Sequence, residues 1–152
     1  MSNTISIAIP VRKHLQKFAE KEFASRLSMK DRLGITIYYM LQKSKGDKPD
    51  AELMSKYPAL LKFEVAEFYL MRKIISPYLD SQAIIHLDSV LDYDFKKELF
   101  RYVNQKAMVG VDRQIAIEEM CDKYDIHNTD ISFEALKKAE YRYRLTIISK
   151  AA

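Results

Sequence analysis

Seven apolar residues near the end of the chain constrain its fold more than any other feature. They lie at offsets 0, 3, 4, 7, 9, 14 and 19 from the first of them: Ile117, Met120, Cys121, Tyr124, Ile126, Ile131 and Leu136. The first four share one helix face, and the last two would return a second helix onto that face. The spacing predicts helices over residues 113–124 and 131–145, joined by a tight connection and supported by a helix over residues 95–109.

The residue types in this segment are typical of a helix-turn-helix. Cys121 is small at the position where the two helices must approach closely, and Asp125 stands at the turn position usually held by glycine. Aspartate adopts a left-handed backbone conformation more readily than most residues, so it can serve there. In a helix-turn-helix the first helix supports the second, which enters the DNA major groove. We therefore expect a C-terminal helix-turn-helix over residues 113–145.

The run from residue 117 to residue 144, IEEMCDKYDIHNTDISFEALKKAEYRYR, resembles the C-terminal helix-turn-helix of small, mostly uncharacterised DNA-binding proteins from phages and mobile elements. The resemblance covers roughly the last third of the chain and does not extend to residues 1–90. It implies DNA binding and brings no established target. The function that we expect is double-stranded DNA binding without catalysis, in transcription regulation or DNA maintenance for a phage or mobile element. The residues that it implies for DNA contact are Ser132, Lys137, Lys138, Tyr141 and Arg142 on the second helix, and His127, Asn128 and Thr129 in the turn.

The charges of the second helix agree with DNA binding only in part. Basic residues and tyrosines interleave toward its end, namely Lys137, Lys138, Tyr141, Arg142, Tyr143 and Arg144. Such cations neutralise phosphates and release counterions, and tyrosine hydroxyls donate to phosphate oxygens. Three acids, Asp125, Asp130 and Glu134, lie where base contacts would be made. We expect Asp130 to cap the helix and Glu134 to complement its dipole.

Two other interpretations of these helices stay open. The apolar residues would pack equally well in a plain three-helix core, with the basic residues on a solvated face. The same helices would also suit a structural or adaptor protein, phage-encoded for example, that binds another protein. The DNA interpretation adds the expectation of a homodimer, because helix-turn-helix proteins often pair two half-sites.

The first part of the chain predicts two short strands. Residues 4–9 alternate apolar and polar side chains, and Pro10 is suited to begin a helix directly after them. Residues 61–65 alternate in the same way and precede a short helix over residues 68–74. The two strands can pair with each other or across a dimer.

Helix starts are predicted at several capping residues. Ser28, with Asp31 three residues later, would cap a second helix, although a strand through residues 35–39 competes with it. Asp80 and Asp94 would cap two successive helices, and Gly110 would end the second of them. The predicted fold class is mainly α with a minor two-stranded β element (α+β), its C-terminal helix-turn-helix packed on a preceding helix.

The expected domain organisation follows from one loop. Residues 45–50 combine glycine, proline and alternating charge, and they separate an N-terminal part, residues 1–44, from a helical body, residues 51–152. We expect one compact domain overall.

Several kinds of site are excluded by residue type and spacing. The three glycines are far apart, which excludes glycine-rich phosphate loops, and the single Cys121 excludes a disulfide framework. The three histidines lack metal-ligand spacing, and the aspartates of residues 80–94 are interpreted as caps and a solvated helix face. Cys121 is interpreted as core packing. We expect no enzyme, no cofactor, no metal and no small-molecule substrate.

The net charge of +4 conceals a segregated pattern. Residues 1–30 and residues 137–152 each carry +4, whereas the residues between them sum to −4. Two basic ends around an acidic middle are informative about partners rather than about fold. Because no apolar run reaches the ~18 residues of a membrane-spanning helix and no signal-peptide layout is present, we expect a cytoplasmic protein that does not bind membranes.

Overall fold

A computed structural model describes residues 3–23 and 30–151. These residues form seven helices and one two-stranded antiparallel sheet, which confirms the mainly α class with a minor β element. The elements in chain order are β1 (Thr4–Val11), α1 (Lys13–Glu22), α2 (Arg32–Lys43), α3 (Ala51–Lys56), β2 (Ala59–Ala66), α4 (Glu67–Met71), α5 (Ser81–Met108), α6 (Arg113–Lys123) and α7 (Phe133–Ala151). Their contacts define two compact units, Met1–Leu91 and Asp92–Ala152, which are described in turn.

The two predicted strands pair with each other. β1 and β2 run antiparallel in a continuous register from Thr4 opposite Ala66 to Val11 opposite Ala59. On one face the side chains are buried, Ile7 opposite Phe63 being an example, whereas Lys62 on the other face is exposed. The alternation of buried and exposed side chains therefore follows the period of two expected for an antiparallel sheet with one solvent-exposed face.

Pro10 lies within β1, so the prediction that it begins a helix is wrong. The Glu67 amide donates to the Asn3 carbonyl at 3.0 Å just beyond the paired residues. Hydrogen-bonded pairs alternate along an antiparallel ladder, which puts Pro10 opposite Leu60 at a pair without mutual hydrogen bonds. The proline nitrogen then faces the outer edge, and the ladder loses no bond.

The second helix forms as predicted, and the competing strand does not. α2 begins after Asp31, whose carboxylate accepts from the Gly34 amide at 2.6 Å. The other predicted cap, Ser28, lies outside the described residues. Ile37 and Leu41 are fully buried four residues apart, so this stretch packs with helical period despite its β-branched residues.

Residues 45–50 contain neither helix nor strand, and the chain then forms a helix that the sequence pattern did not predict. This helix, α3, is capped by Asp50, which accepts from the Leu53 amide at 2.8 Å. The helix expected over residues 68–74 is shorter, because α4 ends at Met71 and Lys73 adopts a left-handed conformation (φ 54°).

Asp88 is buried, so its assignment to a solvated helix face is wrong. Its two carboxylate oxygens accept from the Arg12 backbone amide at 3.1 Å and from Arg12 Nε at 2.8 Å. Only 4% of Asp88 is exposed. A carboxylate at this depth requires such partners, and Arg12 comes from 76 residues away in the chain.

A single helix, α5, occupies the stretch for which two helices were predicted. Asp94 lies within it rather than at a helix start. Asp80 directly precedes α5, as predicted, and its carbonyl accepts from the Ile84 amide at 3.0 Å, whereas its carboxylate accepts from the Lys45 amide at 3.0 Å. No glycine or proline interrupts residues 81–108. A buried stripe runs the length of the helix: Ile84, Leu87, Leu91, Phe95, Leu99 and Val103.

In the second unit, α6 and α7 both pack on residues of α5, as predicted. The Tyr102 hydroxyl donates to Glu119 Oε2 at 3.1 Å, and the Phe100 and Tyr143 rings stack with centroids 4.1 Å apart. Gly110 (φ 88°) ends α5, and the Asp112 carboxylate caps α6 by accepting from the Gln114 amide at 2.9 Å, both as predicted. Six of the seven patterned apolar residues are buried, and Ile131 is half-buried.

Candidate nucleic-acid interface

The connection between α6 and α7 is longer than predicted. It comprises residues 124–132, nine in all, whereas a helix-turn-helix commonly uses three or four. Asp125 has φ 56°, the left-handed conformation expected of it, and the following Ile126 amide donates to the Cys121 carbonyl at 2.8 Å. Ile126 is buried, as the spacing predicted, so the chain packs closely at the end of α6. The additional residues of the connection come after Ile126.

The extra length arises from hydrogen bonds within the connection. Asp130 does not cap α7, contrary to prediction, because its carboxylate accepts from the His127 amide at 2.9 Å. Ser132 is the cap instead, with its hydroxyl accepting from the Ala135 amide at 3.1 Å. Asn128 Oδ1 accepts from the Phe133 amide at 2.9 Å and satisfies a second group at the start of the helix. α7 therefore begins at Phe133 rather than Ile131.

Most residues predicted to contact DNA are exposed. Lys138, Tyr141 and Arg142 lie three and four residues apart on the solvent side of α7, here named the α7 outer face. Ser132 is exposed directly before α7, and three exposed residues of the connection precede it: His127, Asn128 and Thr129. Among the described residues, the side chains of Lys138 and Arg142 form no ion pair.

Lys137 and Arg144, also predicted to bind DNA, are less exposed than the residues of the α7 outer face. Both are half-buried. Lys137 Nζ is 3.3 Å from Glu134 Oε1, and Arg144 Nε donates to Glu140 Oε2 at 3.0 Å. The structure thus divides the predicted cations of α7 into an exposed pair and a second pair with carboxylate partners.

The three predicted acids differ in their surroundings. Asp130 is half-buried, whereas Asp125 and Glu134 are exposed. Asp125 Oδ1 lies 3.2 Å from His127 Nε2, so this contact is an ion pair whenever the imidazole is protonated. The Glu134 charge is offset by Lys137. Of the two exposed acids, Glu134 thus has a charged neighbour that weakens its repulsion of phosphate, and Asp125 gains one when His127 is protonated.

A cluster around Glu140 was not predicted from the sequence. Glu140 is 2% exposed and accepts from Arg113 Nη1 at 2.5 Å as well as from Arg144. Arg113 Nη1 also donates to Asn104 Oδ1 at 3.0 Å. The spacing of Glu140 and Arg144 is a recognisable helical ion pair, but no local pattern links either residue to Arg113, 27 residues away.

Arg113 and Arg144 line an open cleft of about 340 Å³ beside the first turn of α6, named here the Arg113–Arg144 cleft. Its other lining residues are Asp112, Gln114, Ile117, Lys137, Glu140 and Tyr141. The Arg144 guanidinium lies 5.5 Å from the centroid of the Tyr141 ring, which holds it from a second side. The cleft thus presents fixed cationic groups next to the α7 outer face.

The described residues also bear on metal binding, on thiol chemistry and on membrane insertion. No three His, Cys, Asp or Glu side chains in residues 3–23 and 30–151 are arranged to hold a metal ion. Cys121 is buried, as predicted, and its burial raises the pKa of the thiol to about 11, with Asp122 and Glu118 adding to the effect. A thiol that keeps its proton is a poor nucleophile. No helix in the same residues is long and apolar enough to cross a membrane.

Comparison of the chain with protein-family models, with curated proteins and with solved structures found no match.

Proposed function

We propose that this protein binds double-stranded DNA without catalysis, through α7 and the connection before it. The observation that carries the proposal is the α7 outer face, where Lys138 and Arg142 are exposed one turn apart and form no ion pair with any described residue. Exposed cations without protein partners are available to neutralise phosphates and release counterions, which is the sequence-independent part of DNA binding.

The dimensions of α7 suit a groove-binding helix. Its 19 residues span about 28 Å, and a helix about 10–12 Å in diameter enters a major groove about 12 Å wide. In this arrangement Lys138 and Arg142 neutralise phosphates, and the Tyr141 hydroxyl donates to a phosphate oxygen. His127, Asn128 and Thr129 lie at the leading end, where contacts to base edges or backbone are made.

The biological setting is part of the same proposal. The resemblance of residues 117–144 supports transcription regulation or DNA maintenance for a phage or mobile element. We place the protein in the cytoplasm, and we expect a homodimer because helix-turn-helix proteins often pair two half-sites. A two-fold dimer would present two copies of α7 to successive half-sites.

The test is the salt dependence of duplex binding. Wild-type protein is expected to shift a random-sequence duplex at low salt and to lose affinity steeply as salt rises. The double variant Lys138→Ala/Arg142→Ala should bind more weakly across sequences, with the slope of log K against log salt reduced by about two units.

The matched control removes the same charge elsewhere. Lys62 on β2 and Lys97 on α5 are exposed, and Lys62→Ala/Lys97→Ala should keep the wild-type slope. Circular dichroism checks that both variants are folded. The proposal is contradicted when wild-type protein gives no shift at low salt, or when the control weakens binding as much as the α7 variant.

A second candidate function rests on the apolar end of α7. Leu145, Ile147 and Ile148 are exposed there, Ile148 by 64%, and no acidic residue follows Glu140. An apolar and basic helix end is suited to an acidic protein surface, which supports a structural or adaptor role. Protein binding that resists salt would favour this function over DNA binding. Leu145→Ser/Ile148→Ser should then abolish the binding, and Lys138→Ala/Arg142→Ala should leave it intact.

A further inference from the structure

The Arg113–Arg144 cleft contains an excess of positive charge around a buried carboxylate. Glu140 contacts two guanidinium groups, each fully charged at any physiological pH. One negative charge between two positive ones leaves a net charge of +1 in this cluster. Burying a carboxylate is unfavourable without partners, so Glu140 fixes both arginines in place.

Both arginines retain hydrogen-bond donors. In the described contacts Arg113 uses Nη1, shared between Glu140 and Asn104, and Arg144 uses Nε. A guanidinium carries five N–H groups, so Nε and Nη2 of Arg113 and both Nη atoms of Arg144 still hold donors without a protein acceptor among the described residues. Both side chains are about one third exposed, which leaves these groups accessible from the cleft.

The rim of the cleft adds one cation and one anion. Lys137, whose charge is offset by Glu134 at 3.3 Å, adds a cation to the lining, and Asp112 adds a second carboxylate. The Asp112 carboxylate is already occupied as the α6 cap, because it accepts from the Gln114 and Ile115 amides. The fixed guanidinium pair is therefore the strongest feature that the cleft presents to a ligand.

We propose that the Arg113–Arg144 cleft is an oxyanion site that takes a phosphate group. Planar guanidinium forks bind phosphate oxygens in pairs, and prior fixation by Glu140 and Tyr141 lowers the entropy lost on binding. Two sources share this chemistry, a backbone phosphodiester of duplex DNA and a free phosphate compound. With DNA as the source, the inference rests on the proposed function and adds Arg113 to the residues that hold the duplex.

The test uses a variant with unchanged net charge. Arg113→Gln/Glu140→Gln removes one cation of the site together with the buried anion, so long-range attraction to DNA stays the same and no carboxylate is left with one partner. Loss of one phosphate contact should reduce the slope of log K against log salt by about one unit and weaken low-salt binding roughly tenfold. The control is Lys96→Gln/Asp92→Asn, another charge-neutral pair in α5 outside the cleft lining, and it should behave as wild type.

A second arm measures thermal stability in inorganic phosphate against chloride at equal ionic strength. Wild-type protein and the control should gain more melting temperature in phosphate than Arg113→Gln/Glu140→Gln, which keeps only the general stabilisation by excluded phosphate. A reduced DNA slope assigns the site to the duplex backbone. A lost phosphate effect without a change in the slope, or without any DNA binding, supports a site for a free phosphate compound.

The inference is overturned when Arg113→Gln/Glu140→Gln keeps the wild-type salt slope and gains the same stabilisation from phosphate as wild type. It is also overturned when phosphate stabilises neither protein and the salt slope of the variant is unchanged. Weak binding by Lys138→Ala/Arg142→Ala in the same experiments would leave the proposed function standing. Absence of DNA binding by wild-type protein would contradict the proposed function alone.

Discussion

At the scale of single residues, two buried carboxylates have the partners that their depth requires. Asp88 in the first unit is held by Arg12, and Glu140 in the second unit by Arg113 and Arg144. Each carboxylate looks like an ordinary surface acid of a helix in the sequence. Removing a single partner of such a group leaves a buried charge uncompensated, which is costly. For that reason the variants of the Arg113–Arg144 cleft change both members of a pair.

Cys121 should be inert in the native protein. Its burial raises the pKa of the thiol to about 11, so almost no thiolate forms near neutral pH. We expect alkylation by iodoacetamide at pH 8 to be roughly 100-fold slower in buffer than in denaturing urea, because the thiolate is the reactive form. Equal rates in buffer and urea would show that residue 121 is accessible and contradict the packing described for α6.

The same pKa makes stability depend on alkaline pH. The folded thiol keeps its proton up to pH about 11, whereas the unfolded thiol loses it near its ordinary value of 9.0. The unfolded state therefore binds fewer protons between these values, and the contribution of Cys121, complete below pH 9, is lost as pH rises toward 11. Between pH 8 and pH 10.5 the free energy of unfolding should therefore fall more for wild type than for Cys121→Ala, because all other groups titrate in both proteins. Urea unfolding of the two proteins at both pH values measures this difference.

At the scale of elements, the helix ends near the candidate interface are set by single side chains and single backbone conformations. Asp112 caps the start of α6, Ser132 caps the start of α7, and the left-handed Gly110 follows the end of α5. Gly110 and Asp112 were identifiable from the sequence because capping and left-handed stops have strong residue preferences. Ser132 was missed because Asp130, two residues earlier, is an equally good cap by type.

Gly110→Ala should destabilise the protein by about 1 kcal/mol through the backbone alone. Gly110 has φ 88°, and an added Cβ would meet no heavy atom within 4 Å, so steric overlap contributes nothing. Gly110→Asn is the matched variant, and it should cost less because asparagine adopts the left-handed conformation more readily. Urea unfolding measures both, and a Gly110→Ala variant as stable as wild type would contradict this account.

At the scale of the whole molecule, residues 92–152 contain a core of their own. Its members come from α5, α6, the connection and α7: Phe95, Leu99, Val103, Ala116, Ile117, Met120, Cys121, Tyr124, Ile126 and Leu136. The candidate interface and the Arg113–Arg144 cleft both lie within this unit. The site is therefore assembled by one short stretch of the chain.

A fragment of residues 92–152 should fold by itself. A unit of this size buries about 60% of its unfolded surface, enough for marginal stability. We expect a helical circular dichroism spectrum, a cooperative thermal transition below that of the full chain, and low-salt duplex binding that Lys138→Ala/Arg142→Ala weakens. A fragment without a cooperative transition would show that this core needs residues 1–91.

Local patterns determined much of this protein in advance. Apolar spacing was sufficient for the strands, for α6 and for the buried face of α6, because the period of two or 3.6 is a property of the local backbone. For α2 the spacing left a competing strand over residues 35–39, which does not form. Residue type was sufficient for the exposed cations of α7 and for the left-handed conformations of Gly110 and Asp125. These features depend on neighbours within about one or two turns, which the sequence contains directly.

Only the tertiary structure decided the rest. The pairing of β1 with β2, the uninterrupted α5 and the nine-residue connection depend on which contacts compete successfully, and residue preferences alone left several choices open. The Arg113–Arg144 cleft depends on Arg113 meeting Glu140 from 27 residues away. The sequence determined which residues carry charge, and the fold determined which of them are buried, paired or accessible to a ligand. The physical reason is that the stability of a buried charge depends on its surroundings in space.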